Sequence, residues 1–440
     1  MDQQTKNLSN HWMPFTANRS FKEHPRTIES AEGLYYYTPD GRKIIDASSG
    51  LFTCALGHNR PEIIKAIQNQ AAKLDYCPHF NTAAEGLSFE MSNKLAALTP
   101  EGMDRMFFTN SGSESVDTAM KIALAYFNST GQTSRQMFIS REKAYHGVNW
   151  GGTSLSGMVN NRRIFGRGLA GVAHMRHTLL PENKYQVGLP EHGGENLASD
   201  LQRMVDLHGA ENIAACIVEP IAGSAGVIIP PKGYLEKLRE ICTNNGILLI
   251  FDEVITGFGR TGDPFAAQTF GVTPDIITMA KALTNGAVPM GAVAVKNEVY
   301  DNIINSVNNK SINEFFHGYT YSAHPLACAA GIATLDVYND TDLFKSSQPI
   351  AEYFQQEFYA LAKEKSIVTD YRGIGMLAGL DLAPADAPGV RGTDFYQKLF
   401  EEGLHVKCTV DVAIFAPPLV SEKAHIDEML EKIKARLDKY

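Results

Sequence analysis

Short apolar runs with no polar interruption recur through the middle of the chain, separated by stretches of helical spacing. IAACIVE (213–219) is followed by GYLEKLREICTNNG, in which Leu235, Leu238, Ile241 and Cys242 fall on one helical face and Gly246 supplies a stop. The run at 247–251 comes next, and PDIITMA (274–280) gives a third. Strands apolar on both faces, alternating with helices, predict a mostly parallel sheet covered on both sides. Two more β-like segments, MFF before TNSGSES (109–115) and QMFIS before AYHGVN (144–149), fit the same alternation. After TNSGSES, a helix is expected with Val116, Ala119, Met120, Ala123, Leu124 and Phe127 on its inner face.

The two ends of the chain read differently. In YYYTPDGRKIIDA, β-prone runs flank Pro39-Asp40-Gly41, which predicts a hairpin. Ile63, Ile64, Ile67, Ala71 and Leu74 predict a helix over 62–74. TDYRGIGMLAGLDL reads as two short strands around a glycine turn, and Ile426, Met429, Leu430, Ile433 and Leu437 as a terminal amphipathic helix. With no repeat or long linker, the expected class is α/β: a mostly parallel sheet in a large domain at 60–325, and a smaller α/β domain built from 1–59 and 326–440.

Composition narrows the function. A chain of 440 residues, 44% hydrophobic and 20% charged, has the make-up of a soluble globular protein, and its net charge of -9 argues against a nucleic-acid surface. The N-terminus is polar, and no apolar stretch reaches the ~18 residues of a membrane helix, so a cytoplasmic location is expected. The six cysteines lie far apart with no metal-ligand spacing and read as buried thiols. His174 and His177 form an HxxH without a nearby third ligand, so no metal is expected.

Candidate chemistry clusters at strand ends. In LLIFDEVITGFGRTG (248–262), Asp252 closes an apolar strand, where α/β sheets bind ligands. A carboxylate at that depth needs a cation or donors. The glycines 257, 259 and 262 spell GxGxxG, but DEVIT intervenes between strand and glycine and no clear helix follows, so a dinucleotide site is disfavoured. Lys281 ends the next strand, and a lysine in a dry site loses its proton readily and condenses with carbonyls. TNSGSES opens a helix, where free N–H groups and the hydroxyls of Ser111 and Ser113 suit an anion. Tyr145, in AYHGVN, is placed to stack on a flat ring. Taken singly, each has an ordinary explanation: a salt bridge or cap, a solvated lysine, serine capping, a core tyrosine. Taken together, they suit pyridoxal 5'-phosphate (PLP), with Asp252 meeting the protonated ring nitrogen that makes the ring an electron sink.

FDEVITGFGRTG followed by PDIITMAKALTNGAVPMGAV resembles the signature of class III PLP-dependent aminotransferases of fold type I, and the likeness runs along nearly the whole chain. HWMPFTANR, FFTNSGSES, AYHGVN, EPIAGSAGV and FFHGYTYSAHP are similar to the β-alanine:pyruvate (ω-amino acid:pyruvate) branch. The resemblance implies a catalytic Lys281 that carries PLP and Asp252 paired with its ring nitrogen. It also implies Val254 and Tyr145 on either side of the ring, Ser111, Gly112 and Ser113 at the phosphate, and Glu219 close to the cofactor. Thr320, in HGYTYS, would reach the phosphate of a neighbouring subunit, which implies a homodimer or a dimer of dimers. Phe15, Phe52 and Tyr145 would line the substrate pocket. The branch carries a carboxylate-binding arginine in its C-terminal segment; here GLHVKCTVDVAIFAPP has Lys407 at that position, with Ile414 at a neighbouring substrate-contacting one. A lysine keeps the charge without the bidentate fork.

The implied reaction is a ping-pong transfer from β-alanine, an ω-amino acid or an amine to pyruvate, with the freed Lys281 amine moving the proton. Alternatives on the same fold are a 1,2-aminomutase and a decarboxylating transaminase. A non-catalytic PLP-binding protein is an alternative of another class.

Overall fold

The computed structural model describes residues 8–81 and 83–440; residues 1–7, most of the stretch read above for targeting, lie outside them. At its centre are seven strands: β1 (Arg105–Thr109), β2 (Met137–Arg141), β3 (Val172–Met175), β4 (Ile213–Val218), β5 (Leu248–Asp252), β6 (Ile276–Met279) and β7 (Gly291–Val295), in the order β1-β7-β6-β5-β4-β2-β3. From β6 through β5, β4 and β2 to β3 every pairing is parallel; β7 alone runs against its two neighbours. The uninterrupted apolar runs are the reason. Every residue of β4, β5 and β6 is buried, because helices cover both faces.

The expected elements form with small shifts at their ends. The long helix α1 (Gly112–Ser129) follows β1, and α2 (Tyr234–Asn245) follows β4 and stops at Gly246, whose φ of 62° is the left-handed turn glycine permits. The inner face of α1 is as expected except for Leu124, which is exposed. That position lies just outside the stripe set by Val116, Ala119, Ala123 and Phe127, so spacing alone places it too generously.

Segments from the two ends of the chain meet away from this sheet. The hairpin strands Tyr35–Tyr37 and Lys43–Asp46 pair in register, and Leu404–His405 joins Lys43–Asp46 in parallel. Val368–Ile374 and Leu377–Leu382 form the second predicted hairpin, which pairs with Val412–Phe415. Two connections cross the divisions expected from sequence. Gln186–Val187, from mid-chain, adds an edge to this C-terminal sheet, and helix Pro325–Asp340 packs against Pro61–Lys73 and Gly86–Ala96. Among the described residues no helix is long and apolar enough to cross a membrane.

Candidate active site

The strand ends predicted to carry chemistry converge on one cleft of ≈ 310 Å³. Ser111, Gly112, Ser113, Tyr145, Glu219, Asp252, Val254 and Lys281 all face it. Each lies at or just after the carboxyl end of a strand of the parallel set or of β1, so the sheet's topology, not sequence proximity, assembles them.

Asp252 is the last residue of β5 and is 4% exposed. Its Oδ1 accepts from the Val254 N–H at 3.2 Å and from the Thr278 hydroxyl at 3.1 Å. Thr278 stands opposite Asp252 in the β5–β6 register, so the bond is a consequence of strand pairing. Oδ2 lies 2.7 Å from His146 Nδ1. The neighbouring acid, Glu253, does something different. Its carboxylate takes the N–H groups of Ala266 and Ala267 and the Thr256 hydroxyl, and so caps the helical turn Ala266–Thr269. The glycine-rich loop between them turns back on the C-terminal segment, where buried Arg260 donates to the carbonyls of Ala416 and Pro417. No helix follows β5 directly.

Lys281 comes two residues after β6 ends, with φ 54°, in the left-handed region that a lysine enters at a cost of ~1–2 kcal/mol. Burial holds its amine below the ordinary lysine pKa, against the opposing charges of Asp252 and Glu219. Among the described residues its amine has no hydrogen-bond or ion-pair partner. Glu219 follows β4. Burial raises its carboxyl to about 7, with His146 pulling the other way, and it accepts the Tyr145 N–H at 3.1 Å.

The anion cradle is the first turn of α1. Ser111 caps it, its hydroxyl accepting from the Glu114 N–H at 3.2 Å, which leaves the N–H groups of Gly112 and Ser113 in a turn without intrahelical acceptors. Space here is set by glycine. A Cβ on Gly112 would lie 2.9 Å from Val254 Cγ1, and one on Gly147 2.5 Å from Ser113 Oγ. The cleft is thus lined by an anion cradle, a buried carboxylate and an amine.

A wider cleft of ≈ 1210 Å³ shares Tyr145 and Lys281 and is lined by Phe15, Phe52 and Lys407. Phe52 is buried, whereas Phe15 is 80% exposed. Ile414, the cross-strand partner of Lys407, does not line the cleft; it is fully buried, packed among Phe52, Val227 and Ile229. Thr320 is exposed and away from the slot, with its carbonyl accepting the Tyr76 hydroxyl. Sequence reasoning missed the partners of Asp252. His146 was visible beside Tyr145 but had no spacing to link it to Asp252, and Thr278 is revealed only by register.

The family model for aminotransferase class-III matches residues 16–437. An omega-aminotransferase of Caulobacter vibrioides is 53% identical over 97% of this chain and 97% of its own length. A beta-alanine–pyruvate aminotransferase of Pseudomonas aeruginosa is 45% identical over 98% of this chain and 96% of its own. The solved omega transaminase from Pseudomonas jessenii in complex with PMP superposes with a TM-score of 0.92 at 32% identity, over 100% of this chain and 98% of the other. Family model, full-length identity and shared architecture agree, and the chain belongs to the class-III aminotransferases.

Proposed function

We propose that this chain is a PLP-dependent ω-aminotransferase that moves an amino group from β-alanine, an ω-amino acid or an amine to pyruvate, on the type I fold of PLP enzymes. The observation that carries the reading is Lys281: an amine held at reduced pKa, without a partner among the described residues, in a slot that also presents Asp252 and a helix N-terminus. The residues fit PLP: Gly112 and Gly147 let the cradle turn pack close against Val254 and Ser113, where a Cβ would clash, and the slot offers an anion cradle and a buried carboxylate.

PLP, when bound, supplies an aldehyde that takes up amino groups and a protonated ring that withdraws electrons from the reacting carbon. Lys281 would hold it through the side-chain amine, and the same amine is placed to move a proton at the substrate carbon. A lowered pKa leaves more of that amine neutral and able to act as a base. Asp252 keeps the ring nitrogen protonated. The first turn of α1, through Ser111, Gly112 and Ser113, would hold the phosphate, and Tyr145 and Val254 line the slot where the ring would lie. The charge of Glu219 favours the protonated form of the Lys281 amine, against its burial. Phe15, Phe52 and Lys407 form the substrate side, with Lys407 holding the carboxylate of the keto acid.

Thr320 sits away from its own slot, which supports a homodimer, or a dimer of dimers, in which it reaches the neighbouring subunit's phosphate. The working compartment is the cytoplasm. The division into 60–325 and a smaller domain from 1–59 and 326–440 belongs to the same proposal, with Gln186–Val187 and Pro325–Asp340 tying the parts together. A panel of amine donors assayed with and without pyruvate tests the reading: alanine should form only when both are present. Product from one substrate alone would point to a mutase or a decarboxylase.

A further inference from the structure

The turn from Ser49 to Phe52 carries three positive φ values: 46° at Ser49, 65° at Gly50 and 65° at Phe52. Glycine takes that region freely, whereas serine and phenylalanine enter it under strain. Such strain persists only where the surroundings over-determine the backbone, and it gathers at functional sites. This turn leads into both clefts: Phe52 lines the wide one and meets Lys407, and Thr53 lines the slot.

Asp46 supplies the constraint. It is fully buried at the end of the strand Lys43–Asp46. Its Oδ1 accepts the Ser48 N–H at 3.0 Å, and its Oδ2 accepts the Gly50 N–H at 2.5 Å and stands 2.8 Å from His58 Nε2. One carboxylate thus fixes the N–H groups on either side of Ser49. The Phe52 N–H bonds back to the Ser48 carbonyl at 2.9 Å, so the direction of the Phe52 side chain follows from where Asp46 holds the turn. On its other side the turn is tied to the strands around Lys407: Ser49 Oγ donates to the Ala416 carbonyl at 2.7 Å, and Ser48 Oγ accepts the Lys407 N–H at 3.0 Å. The Phe52 ring also packs among Val227, Ile229 and Ile414, but apolar contact is non-directional, and it is the hydrogen bonds that select one backbone conformation.

We propose that Asp46 is a positioning residue that clamps this strained turn and so sets the donor-amine selectivity of the wide cleft, through the place it gives the Phe52 ring beside Lys407; this rests on the aminotransferase reading above. Asp46 lines neither cleft and acts only through the turn. Released from it, Phe52 relaxes to negative φ and its ring leaves Lys407, which opens the cleft to bulky amines and loosens its hold on small ones.

The test compares wild type, Asp46→Asn, Phe52→Ala and the double variant, all loaded with PLP and supplied with pyruvate. An asparagine has one acceptor oxygen where Asp46 uses two, so the Ser48 or the Gly50 bond must break. kcat and KM are measured for β-alanine and for a bulky arylalkylamine, and crystal structures give φ at Ser49 and Phe52. Asp46→Asn should shift the ratio of kcat/KM values about tenfold toward the arylalkylamine, mainly through KM, the scale on which a pocket's shape discriminates. Its Phe52 should stand at negative φ. On the Phe52→Ala background the same substitution should move the ratio by no more than about twofold, because the ring it acts through is gone. If Asp46→Asn does not fold, Asp46→Ser replaces it, since a short hydroxyl keeps the Ser48 bond and releases Gly50. Activity lost equally on both donors, an unmoved Phe52 φ, or the same shift with and without the Phe52 ring would overturn the proposal. A wild type that forms no alanine from any donor would overturn the aminotransferase reading and this proposal with it.

Discussion

The Lys407 ammonium stands 5.2 Å from the centroid of the Phe52 ring, in the wide cleft that Tyr145 and Lys281 share. Phe52 holds φ 65°, a conformation a phenylalanine rarely takes, and its ring meets the Lys407 ammonium at cation–π distance. Burial, and then the charge on Lys281, push Lys407 down to about 8. A cation kept in such a place with no carboxylate partner among the described residues is suited to one that arrives with the substrate.

Lys407 therefore makes a prediction about keto acids and not about amines. Lys407→Arg should lower KM for pyruvate several-fold, because a bidentate fork adds about 1 kcal/mol over a point charge. Lys407→Ala should raise it, and neither change should move KM for a donor without a carboxylate. The pH dependence has a definite sign: the amine is charged below about 8 and neutral above it, so wild-type KM for pyruvate should climb as pH rises past about 8. The Ala variant should lose that climb. Unchanged pyruvate kinetics in Lys407→Ala would assign the carboxylate to another residue.

Asp252→Asn preserves shape and removes charge. The ring nitrogen then has no anion to keep it protonated, and the chemical step should slow by roughly 10² or more, the scale of other preorganised electrostatic contacts. Single-turnover kinetics isolates that step from binding. Near-normal rates would mean that the carboxylate serves the fold alone.

A second buried acid–imidazole pair lies away from the slot and affects stability. His58 Nε2 is 2.8 Å from Asp46 Oδ2. Burial disfavours the charged ring, but the hydrogen bonds to Asp46 and to the Cys54 thiol outweigh it and raise His58 to about 9 from an ordinary 6.5. A raised folded-state value means the stabilisation is complete below about 6.5 and is lost as pH rises through about 9. His58→Gln, which keeps a donor but no charge, should lower the thermal midpoint by a few degrees near pH 6, with the gap closing above pH 9. A gap that stays constant across that range would remove the linkage argument.

Thr320 tests assembly. Lys281→Ala subunits and Thr320→Asp subunits are each expected to be inactive, the latter because a carboxylate repels the phosphate. If Thr320 serves the neighbouring site, mixed dimers place an intact Lys281 and an intact Thr320 in one site, and activity should return on mixing and re-forming the dimers. Mixed dimers as inactive as their parents would place Thr320 outside the partner's site.

Most of the slot was legible because it is built at strand ends, where apolar runs in the sequence stop and polar residues begin. Asp252, Lys281 and the TNSGSES turn all stand at such boundaries. What could not be read depends on register and on connections across the fold. Thr278 faces Asp252 only because β5 and β6 pair as they do. His146 reaches Asp252 from a strand two places away in the sheet. The two adjacent acids look alike in sequence, yet alternation along the chain sends Glu253 to cap a turn and Asp252 into the slot. Ile414 was misplaced for another reason: it pairs with Lys407 in the sheet and shares that face, but it is packed among Phe52, Val227 and Ile229 and so is covered.

The most direct measurement concerns the amine itself. Purified protein is incubated with PLP, reduced with borohydride, digested, and its peptides are mapped by mass spectrometry. The expected result is a yellow protein whose colour is lost on reduction, with the cofactor's mass fixed to the peptide containing Lys281 and absent from Lys281→Ala. A colourless protein, or label on any other lysine with Lys281 unmodified, would contradict the assignment on which the proposed activity stands.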